Sequence, residues 1–257
     1  MLRLLDARTV TALATDPSTL DTPIGRRLRA SVVARSRWAE DCVAAAVAAG
    51  VRQLVVLGAG LDSFAYRNPF PASALHVFEM DHPATQAWKR ERLRAAGLEP
   101  PASLTFVPID FERRTPADAL ATGGFDTGVP AIVSWLGVTV YLTRDVVLRT
   151  LAWVGSLAPG SSIAFTYVAR SGEPREAAGA VGAETVATLA ARAAAAGEPW
   201  ITYFDPAELA GELTRVGLAL VEDLSPEDAT ARYFAGRSDR LHPGGSSHLA
   251  LARVERS

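Results

Sequence analysis

The sequence has 257 residues, enough for one large α/β domain with a sizeable buried core. Its 26 basic and 28 acidic residues leave a formal net charge of −2, so the basic excess of a duplex binder is missing and no nucleic-acid partner is expected. The composition is 49% hydrophobic and 21% charged, and no stretch reaches the roughly 18 uncharged apolar residues that span a bilayer. The opening MLRLLDARTV lacks the apolar centre of a signal peptide, so no membrane partner is expected and the cytoplasm is the expected location. The single cysteine, Cys42, excludes an internal disulfide and a cysteine-based zinc site; among apolar neighbours it reads as a buried structural thiol.

In chain order, residues 1–30 mix polar and apolar residues around Pro17, Pro23 and Gly25 and read as a partly helical extension over the domain. Val32, Val33, Ala39, Cys42, Val43, Ala46 and Val47 recur at helical spacing, predicting a helix over 31–49 that ends in a left-handed cap at Gly50. QLVVL at 53–57 has the length and continuous apolarity of a buried parallel strand. Further strands are predicted over 75–79, 104–109, 131–135 and 162–167, with the last two over 218–222 and 248–254. Pro83 is placed to open a helix ending near Gly97. Thr143 and Asp145 are placed to cap another, which Pro159-Gly160 stops. Asp205 followed by Glu208 is a capping-box variant that opens a helix with Leu209, Leu213 and Val216 inward. The Ala-rich stretch 172–197 reads as a helical insertion. Strands alternating with helices imply a seven-stranded, mostly parallel sheet with helices on both faces, a Rossmann-like fold. The whole chain, 1–257, reads as one domain, with ligands at the carboxyl ends of the strands.

Four groups of residues fall at those ends. Gly58, Ala59, Gly60 and Asp62 follow the first strand, where a side chain at either glycine would keep a ligand off the backbone. A dinucleotide site would place a third glycine where Ser63 stands, which counts against an NAD(P)-dependent oxidoreductase. Glu79 and Asp81 end the second strand, with His82 beyond; one carboxylate suffices for a ribose, and Asp81 is nearer the strand end. Asp110 and Phe111 follow the third strand, an acid for an adenine amino group and a ring to lie on the base. Ser134 and Trp135 close the fourth strand beside the topological switch, with Tyr141 just beyond. The order suits an adenosyl ligand. Each residue also has a plain structural reading: a tight turn, a helix cap at Asp81 or His82, core packing for Trp135 and Tyr141. His76 reads as structural, and no histidine pattern suits a metal.

These segments resemble the leucine carboxyl methyltransferase family, in particular its bacterial branch of class I S-adenosylmethionine (SAM)-dependent methyltransferases. The resemblance rests on ARSRWAED at 34–41, VLGAGLDS at 56–63, FEMDHP at 78–83, IDF at 109–111 and SWLGVTVYLT at 134–143. It implies a class I methyltransferase fold with SAM as cofactor. It implies that Arg35 pairs with the methionyl carboxylate, that Gly58 and Gly60 face the methionyl part, that Asp81 takes the ribose and that Asp110 with Phe111 takes the adenine. Enzymes of the family that act on protein C-termini carry a glutamate where this sequence has Leu136. The expected partner is therefore a small-molecule acceptor, methylated on a carboxylate or hydroxyl by in-line displacement. Tyr141, Trp135 and Tyr203 are the candidates for positioning it, with Tyr167 a further tyrosine in reach, and the 172–200 region is expected to cover its pocket. A non-catalytic SAM-binding regulatory protein is the alternative that leaves the same residues in place, because methyl transfer needs no protein nucleophile.

Overall fold

The computed structural model describes residues 10–11, 14–16, 21–170, 188–195, 197–239 and 241–255. Seven strands form one sheet: β1 (Gln53–Leu57), β2 (His76–Asp81), β3 (Leu104–Pro108), β4 (Ala131–Trp135), β5 (Ser162–Val168), β6 (Leu218–Leu224) and β7 (Ser247–Val254). Their order across the sheet is 3-2-1-4-5-7-6. The first five run parallel, and β7 lies antiparallel between β5 and β6. Every residue of β1, β4 and β5 is buried, as expected of strands covered on both faces. The strand order reverses between β1 and β4, which opens a crevice at their carboxyl ends.

Alternation along β1 shows the two layers directly. Leu54 and Val56 pack with Val43, Phe64 and Val77 on one face. Val55 and Leu57 pack with Val133, Phe165, Val147, Leu151 and Leu213 on the other. The first face is covered by α1 (Pro23–Ala48), which begins eight residues before the predicted start. Thr22 supplies the cap, its hydroxyl accepting from the Gly25 amide at 3.0 Å, and Pro23 takes the first turn, where its missing N–H costs nothing. The supposed extension therefore includes the first two turns of this helix. It ends as expected, with Gly50 at φ 95°. Cys42 is half-buried on it, and burial pushes its thiol up to about 12, so it stays protonated near neutrality.

The second strand ends at Asp81, two residues beyond the predicted limit, and α3 (Pro83–Ala95) follows after the one-turn α2 (Phe64–Arg67) earlier in the chain. His82 caps α3, its Nδ1 accepting from the Ala84 amide at 3.3 Å. Two helices absent from the sequence reading have complete capping boxes: α4 (Pro116–Leu120) on Thr115 and Asp118, and α7 (Pro226–Tyr233) on Ser225 and Asp228. Thr143 stands at the cap of α5 (Arg144–Gly155), but its amide and hydroxyl bind Glu112 at 3.3 and 3.4 Å and make no side-chain cap. Asp205 caps α6 (Pro206–Arg215) through the Ala207 amide at 2.9 Å, with Leu209 and Leu213 inward and Val216 already at the carboxyl cap. Of the predicted insertion, 188–195 is helical, and 172–187 and 196 lie outside the described residues. No described helix is long and apolar enough to cross a membrane.

Candidate active site

The loop after β1 is tied to β2 by backbone bonds. The amides of Gly58 and Ala59 both donate to the Met80 carbonyl, at 2.8 and 3.1 Å. Gly58 has φ 65°, and a Cβ there would sit 2.5 Å from a methyl of Val138, so this glycine is needed for the approach of the post-β4 loop. Gly60 has φ 46° and faces open space, its nearest heavy atom lying 4.0 Å from a Cβ position. The single reason offered from sequence for both glycines thus splits: Gly58 makes room for the protein and Gly60 leaves room beside it. Asp62 closes the loop, its Oδ1 accepting from the Phe64 amide at 2.6 Å.

The acids of β2 have separate partners. One oxygen of Asp81 accepts from the Gly60 amide and the other from the His82 amide at 2.7 Å, so this carboxylate stands at the lip of the glycine loop. Glu79 lies inside, 2% exposed, with Lys89 of α3, equally buried, donating to it at 2.6 Å. Lys89 also donates to the Asp62 carbonyl at 2.8 Å. Burial raises the Glu79 pKa, and Lys89 opposes that rise. Glu79 is therefore spoken for by a lysine that sequence reasoning missed, and Asp81 is the acid that borders the crevice. A lysine ten residues past an acid, one on a helix and one on a strand, carries no sequence signal of pairing.

Beyond β3, Asp110 accepts from the Glu112 amide at 3.1 Å and pairs with the exposed Arg113 at 3.4 Å. Phe111 is half-buried, with its ring centroid 6.5 Å from that of Trp135. Ser134 is buried in β4 and lines a small cleft with Asp62, Phe64 and Leu136. Trp135 is fully enclosed among core residues, which leaves it no exposed surface with which to position an acceptor; its indole N–H has no hydrogen-bond partner among the described residues.

The post-β4 loop packs against a partly buried cation of α1. Gly137 has φ 72°, and a Cβ there would overlap the Arg35 guanidinium, 2.9 Å from its Cζ. The Gly137 amide donates to Thr166 at 2.6 Å, which anchors the loop to β5. Arg35 projects from α1 into this contact. It forms no hydrogen bond or ion pair with any described residue, and burial lowers its pKa, with Tyr141 and Asp62 nearby opposing that shift. Guanidinium keeps its proton in proteins, so this is a partly desolvated cation with no anion in hydrogen-bond contact among the described residues. It borders a cavity of about 140 Å³ with Thr139, Val140, Tyr141, Tyr167 and Trp200. We expect Gly137→Ala to cost about 1–3 kcal/mol through its positive φ and the crowding of Arg35. Calorimetric unfolding should show a loss of about 2–12 °C, and an unchanged midpoint would contradict it.

Of the tyrosines singled out, Tyr141 is exposed at the cavity mouth, whereas Tyr203 lies outside its lining. Tyr167 is buried and donates to Asp223 at 2.7 Å; His248 Nδ1 lies 3.1 Å from the tyrosine oxygen and 3.0 Å from the other Asp223 oxygen. Burial, then Asp223, raises the Tyr167 pKa far above the ordinary phenol value, so the group stays a donor. This three-strand cluster was missed because its members are 56 and 81 positions apart. His76 is structural, with Nε2 2.9 Å from the Thr105 hydroxyl.

Residues 2–155 match the leucine carboxyl methyltransferase family. YktD of Bacillus subtilis (strain 168), which bears the name of an S-adenosyl-L-methionine-dependent methyltransferase, is 36% identical over 227 residues, covering 88% of this chain and 73% of that protein. The chain belongs to the leucine carboxyl methyltransferase family. Rv3787c of Mycobacterium tuberculosis (strain H37Rv), of the same description, is 42% identical over 142 residues; the alignment covers 54% of this chain and 45% of that protein, so the chain spans under half of the mycobacterial relative's length. The fold is shared with a Thermobifida fusca YX protein described as a methyltransferase, at 20% identity and a TM-score of 0.60 over 99% of this chain and 92% of that one. Membership makes the protein a SAM-dependent methyltransferase.

The residues present suit that cofactor. SAM carries a carboxylate, a ribose and an adenine, and the crevice offers an unpaired guanidinium at Arg35, a carboxylate at the lip at Asp81 and open space over Gly60. The absence of a third glycine at Ser63 is no handicap to a ligand without a pyrophosphate.

Proposed function

We propose that this family member methylates an oxygen of a small molecule, a carboxylate or a hydroxyl, by in-line displacement. The observation that supports this most is the cavity of about 140 Å³ beside Arg35, which suits a small-molecule group far better than a protein tail. Leu136 stands where enzymes acting on protein C-termini have a glutamate, and it lines the neighbouring cleft with Ser134 and Asp62.

SAM supplies the reactive methyl, already activated as a sulfonium, so the protein's task is alignment and exclusion of water. In this reading Arg35 holds the methionyl carboxylate, the loop from Gly58 to Asp62 with Ala59 buried inside it carries the methionyl part, and Asp81 accepts from the ribose hydroxyls. Asp110 and Phe111 border the adenine, and His82 holds the α3 cap beside the ribose acid. Tyr141 at the cavity mouth orients the acceptor, and Leu189 and Trp200 line the same cavity, all within a single domain.

The test is incubation with methyl-labelled SAM and a panel of small carboxylates and alcohols, beside a peptide ending in leucine. Label is expected in a small molecule, as a base-labile ester or a base-stable ether. Label on the peptide alone, or on nothing although S-adenosylhomocysteine binds, contradicts the reading. Asp81→Ala should weaken S-adenosylhomocysteine about tenfold by calorimetry, through loss of the ribose bonds and of the hold on Gly60.

A further inference from the structure

Two hydrogen-bonding side chains bordering the cavity have no partner. The indole N–H of Trp200 and the hydroxyl of Ser246 are closed off from bulk water, and neither makes a hydrogen bond with any described residue. Both residues line the cavity that Arg35 and Tyr141 border. A buried donor left unmade is costly, and native structures rarely keep two on one wall without a use for them.

Their backbones are held firmly. Ile201, next to Trp200, donates to the Val140 carbonyl at 2.8 Å, and the Ser246 carbonyl accepts from the Ala169 amide at 2.7 Å. Two segments remote in sequence, one tied to the post-β4 loop and one to the end of β5, thus line one cavity from fixed backbone positions. Leu28, Val32, Val140 and Val168 give that wall an aliphatic patch, beside the hydroxyls of Ser31, Thr139, Thr166 and Ser247. An indole nitrogen can only donate, and a serine hydroxyl can donate beside it, so the matching ligand atom is a hydrogen-bond acceptor.

We propose that Trp200 and Ser246 form an acceptor-recognition subsite for an apolar small molecule bearing a carbonyl-type oxygen, a ketone or carboxylate, which takes both hydrogen bonds. This rests on reading the cavity as the methyl-acceptor pocket. It adds the specificity determinant: an apolar body selected by the aliphatic wall, and an sp² oxygen selected by the two donors. A ligand of the same shape without that oxygen leaves the donors unpaired and is rejected for that reason.

The experiment uses the full chain saturated with S-adenosylhomocysteine and three probes of similar size: benzoate, acetophenone and ethylbenzene. Equilibrium dialysis is expected to show benzoate or acetophenone bound at least about tenfold more tightly than ethylbenzene, one hydrogen bond's worth or more. In the Trp200→Phe/Ser246→Ala double variant that preference should fall to within about twofold, with ethylbenzene binding unchanged as the control for an intact pocket. In the wild type, the indole ¹H–¹⁵N resonance lost in Trp200→Phe should move on adding the preferred probe. The proposal is overturned if the wild type binds all three probes alike, binds none of them, or if the double variant keeps the preference. Separate titration with S-adenosylhomocysteine divides the failures: if it binds, only the subsite is lost, and if it does not, the cofactor reading falls first.

Discussion

Lys89→Met is expected to lower the unfolding midpoint by about 6–20 °C, from a loss of about 3–5 kcal/mol when one partner of a buried ion pair is removed. Lys89 and Glu79 are each 2% exposed and 2.6 Å apart, so the glutamate left behind has neither water nor a counter-ion. The sign of the pH dependence follows. Burial already holds the Glu79 pKa above its ordinary value against the pull of Lys89, and without the lysine it rises further. Above that raised value the folded chain carries the full penalty of an unpaired charge. Once the pH falls below the ordinary carboxylate value, folded and unfolded chains are both protonated and the penalty disappears. The deficit relative to wild type should therefore shrink from neutral pH towards pH ~4, and Glu79→Gln in the same chain should recover part of it at neutrality. A midpoint within about 2 °C of wild type at neutral pH, or a deficit that grows on acidification, refutes the account. The same change frees the Asp62 carbonyl, so weaker S-adenosylhomocysteine binding should accompany it.

Arg35→Ala should weaken S-adenosylhomocysteine about 30- to 150-fold, the loss expected for a charged hydrogen-bonded contact of about 2–3 kcal/mol. The midpoint of the ligand-free protein should hardly fall, because the wild-type guanidinium has no described partner to lose and its desolvation is relieved. That combination separates a binding residue from a structural one. Arg35→Lys should recover only a fraction, since a point charge lacks the two-pronged match to a carboxylate. Calorimetric titration beside thermal unfolding checks both halves; equal affinity in wild type and variant would remove Arg35 from the cofactor site.

Legibility followed the range of the interactions. β1 and β4 coincide with their predicted bounds because a strand buried on both faces writes itself as an unbroken apolar run. The turn after β1 and the place of Asp81 at the end of β2 were legible too, being local to strand ends. The start of α1 was not, since the turns before Ser31 carry arginines on a side that needs no apolar period, although Thr22-Pro23 marked the cap. Thr-Pro-Ala-Asp at 115–118 and Ser-Pro-Glu-Asp at 225–228 were readable start signals for α4 and α7 that apolar periodicity alone passes over. The pairing of Lys89 with Glu79, the Tyr167–Asp223–His248 cluster and the meeting of Trp200 with Ser246 exist only after the sheet is assembled. Trp135 shows the opposite error, a residue conspicuous in a motif whose bulk fills the core.

The ends of the 171–199 stretch are fastened to each other. The Arg170 amide donates to the Phe204 carbonyl at 2.7 Å, the Phe204 amide donates to Val168 at 3.1 Å, and Ile201 is bonded to Val140. A stretch whose two feet are already joined can lengthen, shorten or change composition at an entropic cost that grows only with the logarithm of its length. Neither Arg35 nor the glycine loop lies within it. Changes of length or composition between these two feet therefore leave the anchoring of β5 and of the post-β4 loop as they are.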